Sequence, residues 1–204
     1  MTDLFLMGNE AIARGLIESG CTLASAYPGT PSTEIVQAVV NFRDLAIDPM
    51  HIEWSVNEKI AFEVALAHCY TGKRAAVAMK QVGLNVAADP FMRTAYLGVK
   101  GGLVLIVADD PGPHSSQNEQ DSRQFAQFAR IPVLDPASPA EAREMVAEAF
   151  ALSEELELPV MLRPTTRICH ARQNLAPREV LALKRHADFR KEPGRWAATP
   201  AFLP

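Results

Sequence analysis

The sequence predicts an α/β protein with a mostly parallel sheet of about six strands and helices on both faces of that sheet. Short apolar segments alternate with longer segments of helical periodicity, a pattern typical of successive βαβ units. The strongest strand signal, residues 102–108, is apolar with little interruption, as expected for a strand buried on both faces. With 204 residues, of which 48% are hydrophobic, the chain is long enough to bury such a core.

Six segments are predicted as strands because each is short, largely apolar and bounded by turn residues. They are residues 22–27, 51–54, 75–79, 103–108, 132–134 and 159–162. Helical periodicity and capping signals predict the helices between them. These are residues 9–19, 31–40, 55–70, 83–96, 119–128 and 139–155.

Local signals fix the predicted helix ends. The first helix stops at Gly20, and Thr30 with Pro31 reads as an N-cap followed by a first-turn proline. Ser55 and Glu58 match a capping box, as do Ser138 and Glu141. Pro90 is expected to kink or split the fourth helix, because proline removes an intrahelical hydrogen bond.

Composition argues against several classes of function. A net charge of −4 gives no basic patch for nucleic acid, and no apolar segment is long enough to span a membrane. The first residues lack the features of a signal peptide. Three widely spaced cysteines indicate reduced thiols in a cytoplasmic protein, and no Cys/His spacing predicts a metal site.

The alternation of strand and helix signals weakens after residue 172. Residues 1–172 are predicted to form the domain, and residues 173–204 a C-terminal helix (177–186) followed by a linker toward a further domain. This tail carries Trp196, Phe202 and Leu203 among its prolines. Such apolar residues would pack either on a separate domain or back on this one, and the sequence favours neither.

Polar residues follow the ends of several predicted strands, where ligands bind in parallel α/β sheets. The longest such loop is residues 109–121, which contains His114, Ser115, Gln117 and Asn118. Its length favours function, although proline and glycine are also ordinary turn residues.

Two other strand ends carry similar groups. Residues 27–34 place Gly29 and the hydroxyl of Thr30 before a helix, where plain capping is the alternative. Residues 79–86 place Lys80, Gln81 and Asn85 around Gly83. Glu58 follows a third strand, and it either completes the capping box or faces a ligand. All of these are expected along one edge of the sheet.

The familiar nucleotide and nucleophile motifs are missing from the sequence. Gly98, Gly101 and Gly102 lack the dinucleotide-binding spacing, and neither a phosphate loop of the Walker type nor a serine nucleophile elbow occurs.

Segments 27–34, 53–58, 79–90 and 109–121 resemble the alpha subunit of indolepyruvate ferredoxin oxidoreductase. The resemblance runs in order over about residues 6–170. That family comprises thiamine-diphosphate-dependent 2-oxoacid:ferredoxin oxidoreductases, and the matching part is the N-terminal, pyrimidine-binding domain of the thiamine diphosphate-binding fold.

The resemblance implies roles for particular residues. Glu58 is the acid that hydrogen-bonds the thiamine aminopyrimidine and starts the proton chemistry, with Gln81, Gly83 and Asn85 also binding the cofactor. Thr30 lies near the substrate carboxylate. His114, Ser115, Gln117 and Asn118 shape the substrate end of the pocket, and Gly29 leaves room for a bulky aryl side chain where related enzymes carry a branched residue.

The resemblance also implies an assembly. Aryl pyruvates such as indolepyruvate would be decarboxylated, with electrons passing to ferredoxin and the acyl group to coenzyme A. Mg²⁺ and 4Fe–4S clusters are expected on domains outside this sequence, together with a diphosphate-binding domain, a second subunit and a homodimer. We therefore expect no turnover by this chain alone. The alternatives are the small subunit of a two-subunit thiamine-dependent decarboxylase and a non-catalytic assembly module.

Overall fold

A computed structural model describes residues 3–201, so Phe202 and Leu203 of the tail lie outside the described residues. The elements follow in the order β1 (Leu4–Met7), α1 (Gly8–Glu18), β2 (Leu23–Ala26), α2 (Thr33–Phe42), a 3₁₀ turn (Arg43–Leu45), β3 (His51–Trp54), α3 (Glu58–Tyr70), β4 (Ala75–Lys80), α4 (Gln81–Val86), α5 (Ala88–Leu97), β5 (Leu103–Ala108), α6 (Ser122–Ala129), β6 (Val133–Leu134), α7 (Pro139–Leu156), β7 (Val160–Leu162), α8 (Thr166–His170), β8 (Arg172–Leu175) and α9 (Pro193–Trp196).

Six strands form one parallel sheet in the order β3-β2-β4-β5-β7-β6, which confirms the predicted fold class. Every residue of β5 is buried, because helices cover the sheet on both sides. A separate antiparallel pair, β1 with β8, was not expected. The sequence of β8, Arg-Gln-Asn-Leu, has no apolar alternation that could have predicted it.

Two apolar layers hold the helices to the sheet. On the first face, α1, α2 and α7 pack through side chains such as Ile12, Val39 and Phe150. On the second face, α3, α4, α5 and α6 pack around Phe62 and Phe91, whose rings meet edge to face at 6.4 Å. The chain therefore crosses to the first face after β2 and to the second face after β4.

Several helices begin later than predicted. α2 begins at Thr33, so Thr30 is not its N-cap. α3 begins at Glu58 with Asn57 as its cap, and the Asn57 Oδ1 accepts from the Ile60 N–H at 2.9 Å. The capping box predicted for Ser55 is therefore wrong, because a better capping amide lies two residues closer to the helix.

The break in the predicted fourth helix falls at Ala87, between α4 and α5, and not at Pro90. Pro90 lies in the first turn of α5, where a missing backbone N–H costs little.

The tail lies across the edge of the sheet where the strands begin. The helix predicted for residues 177–186 is absent, and this segment contacts the domain instead. The Leu181 N–H donates to the Glu18 carbonyl at 3.0 Å, and Trp196 packs on Tyr70 with ring centroids 4.6 Å apart. The domain boundary at residue 172 stays a prediction.

Between residues 3 and 201, the helices are all too short or too polar to cross a lipid bilayer. Cys21, Cys69 and Cys169 are buried and form no disulfide bond. Burial raises the pKa of the Cys21 thiol to about 12.

Candidate functional site

The carboxyl ends of β2 and β4 lie side by side at one edge of the sheet. These neighbouring strands send their following helices to opposite faces of the sheet, so their connections diverge. Such a topological switch point is where ligands bind in open α/β sheets. The turn of residues 27–32 follows β2 on one side of this switch point, and Lys80 with Gln81 lies at the end of β4 on the other.

Glu58 is the first residue of α3 and lies at this same edge. Its side chain is only 9% exposed, and among the described residues nothing donates a hydrogen bond to its carboxylate. Because Asn57 caps the helix, the Glu58 carboxylate is not used for capping. A carboxylate at a helix N-terminus is favoured by the helix dipole, but burial without a partner is costly. Glu58 therefore offers a free acceptor toward a ligand.

Gly83 is the residue against which Glu58 packs. A Cβ built on Gly83 would lie 2.6 Å from the Glu58 Oε1 and 2.7 Å from its Cγ, closer than carbon and oxygen atoms can approach. Only glycine therefore allows Glu58 to keep this position. Gly83 thus leaves the space that the Glu58 side chain occupies, and its direct role in cofactor binding stays a prediction.

The turn after β2 satisfies most of its own polar groups. The Thr33 Oγ1 accepts from the Gly29 N–H at 2.8 Å, and the Ser32 hydroxyl donates to the Gly29 carbonyl at 2.7 Å. These two hydroxyls close the turn itself, and α2 has no side-chain cap, so plain helix capping, the alternative open in the sequence, is not what they do. The Thr30 side chain is exposed, and no bond to its hydroxyl is found within residues 3–201.

Three strand-end loops meet at the switch point. The Ser115 hydroxyl donates to the Thr30 carbonyl at 3.3 Å, and the Lys80 ammonium donates to the Ser115 carbonyl at 3.4 Å. The buried Gln81 donates its amide to the Asn118 carbonyl at 3.2 Å, while its Oε1 has no partner among the described residues. The loops after β2, β4 and β5 therefore form one continuous rim.

The first two acids of the 109–121 loop are hydrogen-bonded to protein groups that hold the loop in place. Asp109 is fully buried and pairs with the Arg163 Nε at 2.7 Å and with the Ser122 N–H at 3.0 Å. The Asp110 Oδ2 accepts from the N–H groups of His114 and Ser115, both at 2.9 Å. Neither acid has capacity left for a ligand.

The pKa values of the loop acids agree with their being hydrogen-bonded to the protein. Burial raises the pKa of Asp110, but the Ser115 N–H and the Thr166 hydroxyl outweigh it, so the pKa lies below its ordinary value. The hydrogen bond from Arg123 likewise lowers the pKa of Asp121, the N-cap of α6.

Glu53, the other acid near the end of β3, is also engaged. It accepts from the Ser55 hydroxyl at 2.8 Å and pairs with the His51 ring at 3.1 Å. Hydrogen bonds from His51 and Ser55 lower its pKa. Of the acids at this edge, Glu58 is the one whose carboxylate remains without a protein donor in the described part of the chain.

The predicted site residues divide into two sets. Gly29, Thr30, Ser115, Gln81 and Asn118 come together at the rim, and Glu58 and Gly83 touch beside it. Asn85, His114 and Gln117 are exposed, and their roles stay predictions.

Lys80 is the residue that sequence reasoning passed over as a site residue. The sequence places it as a polar group at a strand end. The strand order that brings it next to Gly29 could not be predicted from local signals. Residues 3–201 contain no group of three or more His, Cys, Asp or Glu side chains that could hold a metal ion.

Comparison with known proteins gives one family. Residues 14–201 match the family described as pyruvate flavodoxin/ferredoxin oxidoreductase, thiamine diP-bdg. The chain is 49% identical over 204 residues to the indolepyruvate oxidoreductase subunit IorA of Pyrococcus abyssi, covering 98% of this chain and 31% of that protein. It is also 49% identical over 198 residues to the subunit of the same name from Methanothermobacter thermautotrophicus, covering 97% and 32%. The chain thus spans about a third of the length of these relatives.

A solved structure shares the fold. It is a 2-oxoglutarate:ferredoxin oxidoreductase from Magnetococcus marinus with 2-oxoglutarate, coenzyme A and succinyl-CoA bound. The TM-score is 0.74 at 20% identity, and the match covers 85% of this chain and 31% of the other. The chain therefore belongs to the family of thiamine-diphosphate-binding domains of pyruvate flavodoxin/ferredoxin oxidoreductases.

Proposed function

We propose that this chain forms the pyrimidine-binding part of the thiamine diphosphate site in an enzyme that oxidatively decarboxylates indolepyruvate and other aryl pyruvates. The observation that carries the proposal is Glu58, a buried carboxylate without a donor among residues 3–201, at the carboxyl edge of the sheet. The names of the relatives that are 49% identical support the substrate class.

The residues present fit the pyrimidine end of the cofactor. Glu58 supplies the free acceptor that a protonated ring nitrogen needs, and Gly83 keeps it in place by having no Cβ. The Oε1 of Gln81, buried and without a donor in the described chain, is a second acceptor at the switch point. When bound, thiamine diphosphate supplies the carbon nucleophile for the keto group and the electron sink for decarboxylation.

The chain's own residues then have limited tasks. Glu58 holds a proton at the pyrimidine ring nitrogen, which is general acid–base work. The side chain of Thr30 and the loop carrying His114, Ser115, Gln117 and Asn118 border the space for the substrate. The hydrogen bonds of the rim hold these loops next to one another.

We also propose the partners of this domain. A diphosphate-binding domain, Mg²⁺, 4Fe–4S clusters, a second subunit, ferredoxin and coenzyme A would complete the enzyme, as a homodimer in the cytoplasm. Support comes from the greater length of the relatives and from exposed apolar side chains beside Glu58, namely those of Trp54, Val56 and Ile60. Such side chains next to a buried acid favour a covering surface.

The test is Glu58→Gln in the complete complex, assayed by ferredoxin reduction with aryl pyruvates, thiamine diphosphate and coenzyme A. Removing general acid–base catalysis is expected to lower kcat by about 10²- to 10⁴-fold, because a neutral amide cannot relay the proton. The affinity for thiamine diphosphate, measured by calorimetry, should fall as well.

The matched control is Glu63→Gln on the same helix, where the carboxylate is exposed and pairs with Arg93 at 3.1 Å. It should leave turnover within about two-fold, since exposed ion pairs contribute little. Near-normal turnover by Glu58→Gln would remove the assignment.

A further inference from the structure

Lys80 is the last residue of β4, at the switch point, and its side chain packs against Gly29 of the turn after β2. A Cβ on Gly29 would lie 3.2 Å, 3.3 Å and 3.5 Å from the Lys80 Cγ, Cδ and Cε. The lysine stem therefore occupies the space that a side chain at position 29 would need. This stem, half-buried along the turn, carries the ammonium toward the loop after β5.

The ammonium of Lys80 lacks a counter-ion in the described part of the chain. Its hydrogen bond is a long one, 3.4 Å to the Ser115 carbonyl. By contrast, Lys59 pairs with Asp89 at 2.9 Å and Lys100 pairs with Asp188 at 3.0 Å. A half-buried cation that only contacts a neutral carbonyl retains most of its capacity to bind an anion.

The surroundings of Lys80 suit a single carboxylate. The nearby acids Asp109 and Asp110 are used by Arg163 and by the loop backbone, so they do not neutralise the lysine. The guanidinium of Arg163 is itself held by Asp109 and by Asp135 at 3.3 Å. Thr30 and Ser115 add hydroxyl groups on the two loops that flank the ammonium.

We propose that Lys80 binds the carboxylate of the 2-oxoacid substrate and that Gly29 is required to give the lysine stem its groove. This inference rests on the proposed function for the location of the reaction, but it concerns the carboxylate that all 2-oxoacids share. Gly29 then serves the carboxylate end of the substrate, not an aryl side chain as the sequence suggested.

The experiment compares Lys80→Met with wild type in the complete enzyme complex. Methionine keeps a long apolar stem and removes the charge. Losing a hydrogen bond to a charged group should raise the KM for the 2-oxoacid about 10- to 100-fold, with a smaller change in kcat. Lys80→Arg, which keeps the charge, should recover part of the loss. Lys73→Met, two residues before the other end of β4, is the matched control and should leave KM unchanged.

A binding measurement makes the inference independent of turnover. Wild type should bind 3-phenyllactate at least about 10-fold more tightly than its uncharged amide, and Lys80→Met should bind both alike. If wild type does not reduce ferredoxin with aryl pyruvates yet shows this preference, the proposed function fails and the Lys80 inference stands. A KM and a carboxylate preference both within two-fold of wild type in Lys80→Met would overturn it.

Gly29→Ile tests the second half of the proposal. Displacing the lysine stem should raise KM by similar factors for the largest and the smallest 2-oxoacid that wild type accepts. A loss confined to the largest substrate would instead assign Gly29 to an aryl pocket and contradict its role as the groove for Lys80.

Discussion

Two regions at the carboxyl edge of the sheet each bury acids, and they differ in what those acids touch. In the loop after β5, Asp109 and Asp110 are fully buried, and both carboxylate oxygens of each accept hydrogen bonds from protein donors. At the start of α3, Glu58 is almost as buried, yet no donor to it occurs in residues 3–201. Burial of an acid therefore does not by itself indicate a ligand site, and the presence or absence of protein donors is what separates these two regions.

The difference has a physical origin. A buried carboxylate is stable when hydrogen bonds replace its lost hydration. Asp109 and Asp110 accept such bonds from their own loop and from the residues next to it, which holds the loop in place. Glu58 packs against Gly83, and its carboxylate receives no hydrogen bond from residues 3–201, so a ligand can supply one. Substituting the two kinds of acid should therefore affect different properties.

The largest expected effect is on stability at Asp109. Asp109→Ala removes the main partner of Arg163 and should lower the free energy of unfolding by about 3 kcal/mol. This lies at the low end for a broken buried pair because Asp135 still faces Arg163. Glu58→Gln, measured in the same chemical denaturation series, removes a largely buried charge without a protein donor and should cause no loss of stability. Equal losses in the two variants would erase the distinction between the regions.

An intermediate effect is expected at Gly83. Gly83→Ala places a methyl group against the Glu58 side chain and should cost about 1–3 kcal/mol of unfolding free energy, as overpacking does. Thermal or denaturant unfolding measures this loss. In a Glu58→Ala background the same methyl group has space, so the double variant should be more stable than the sum of single effects predicts.

The control for Gly83 is Gly194→Ala, where a Cβ meets nothing within 4 Å. It should be close to neutral. A Gly83→Ala variant that unfolds like this control, or a strictly additive double variant, would show that Glu58 is not seated by Gly83.

The smallest expected effect is a local dependence on pH at Asp110. Its pKa is lowered from the ordinary value of 3.8, so its contribution is present above that value and is lost as the pH falls through the lower, folded-state pKa. Hydrogen exchange at the His114 and Ser115 amides should therefore lose protection in acid. Asp110→Asn should remove this acid dependence; if the dependence persists in that variant, another group holds the loop.

Much of the fold followed from the sequence because the strands are apolar runs bounded by turn residues. Residues 51–54 and 103–108 were predicted to the residue as β3 and β5. The pairing of β1 with β8 was missed, because the two short segments lie about 170 residues apart and β8, Arg-Gln-Asn-Leu, has no apolar pattern. The tail was misread as a helix because its contacts with the domain, not its own periodicity, determine its path.

The sequence predicted which residues lie at the site, but not how they contact one another. Glu58, Thr30 and the 109–121 loop could be placed on one edge from strand ends alone. That Asn57 and not Ser55 caps α3 depends on where the chain leaves β3, which local signals do not determine. The contact between Gly29 and Lys80 required the order β2 beside β4, a property of the whole sheet.

The packing of the Lys80 stem over Gly29 restricts how this site can evolve. A branched residue at position 29 would press on the lysine methylenes, which lie 3.2–3.5 Å from the position of its Cβ, so it is accommodated more easily once residue 80 has become shorter. The two positions are therefore expected to be epistatic, with the effect of a substitution at one depending on the residue at the other, although about 50 residues separate them in the sequence.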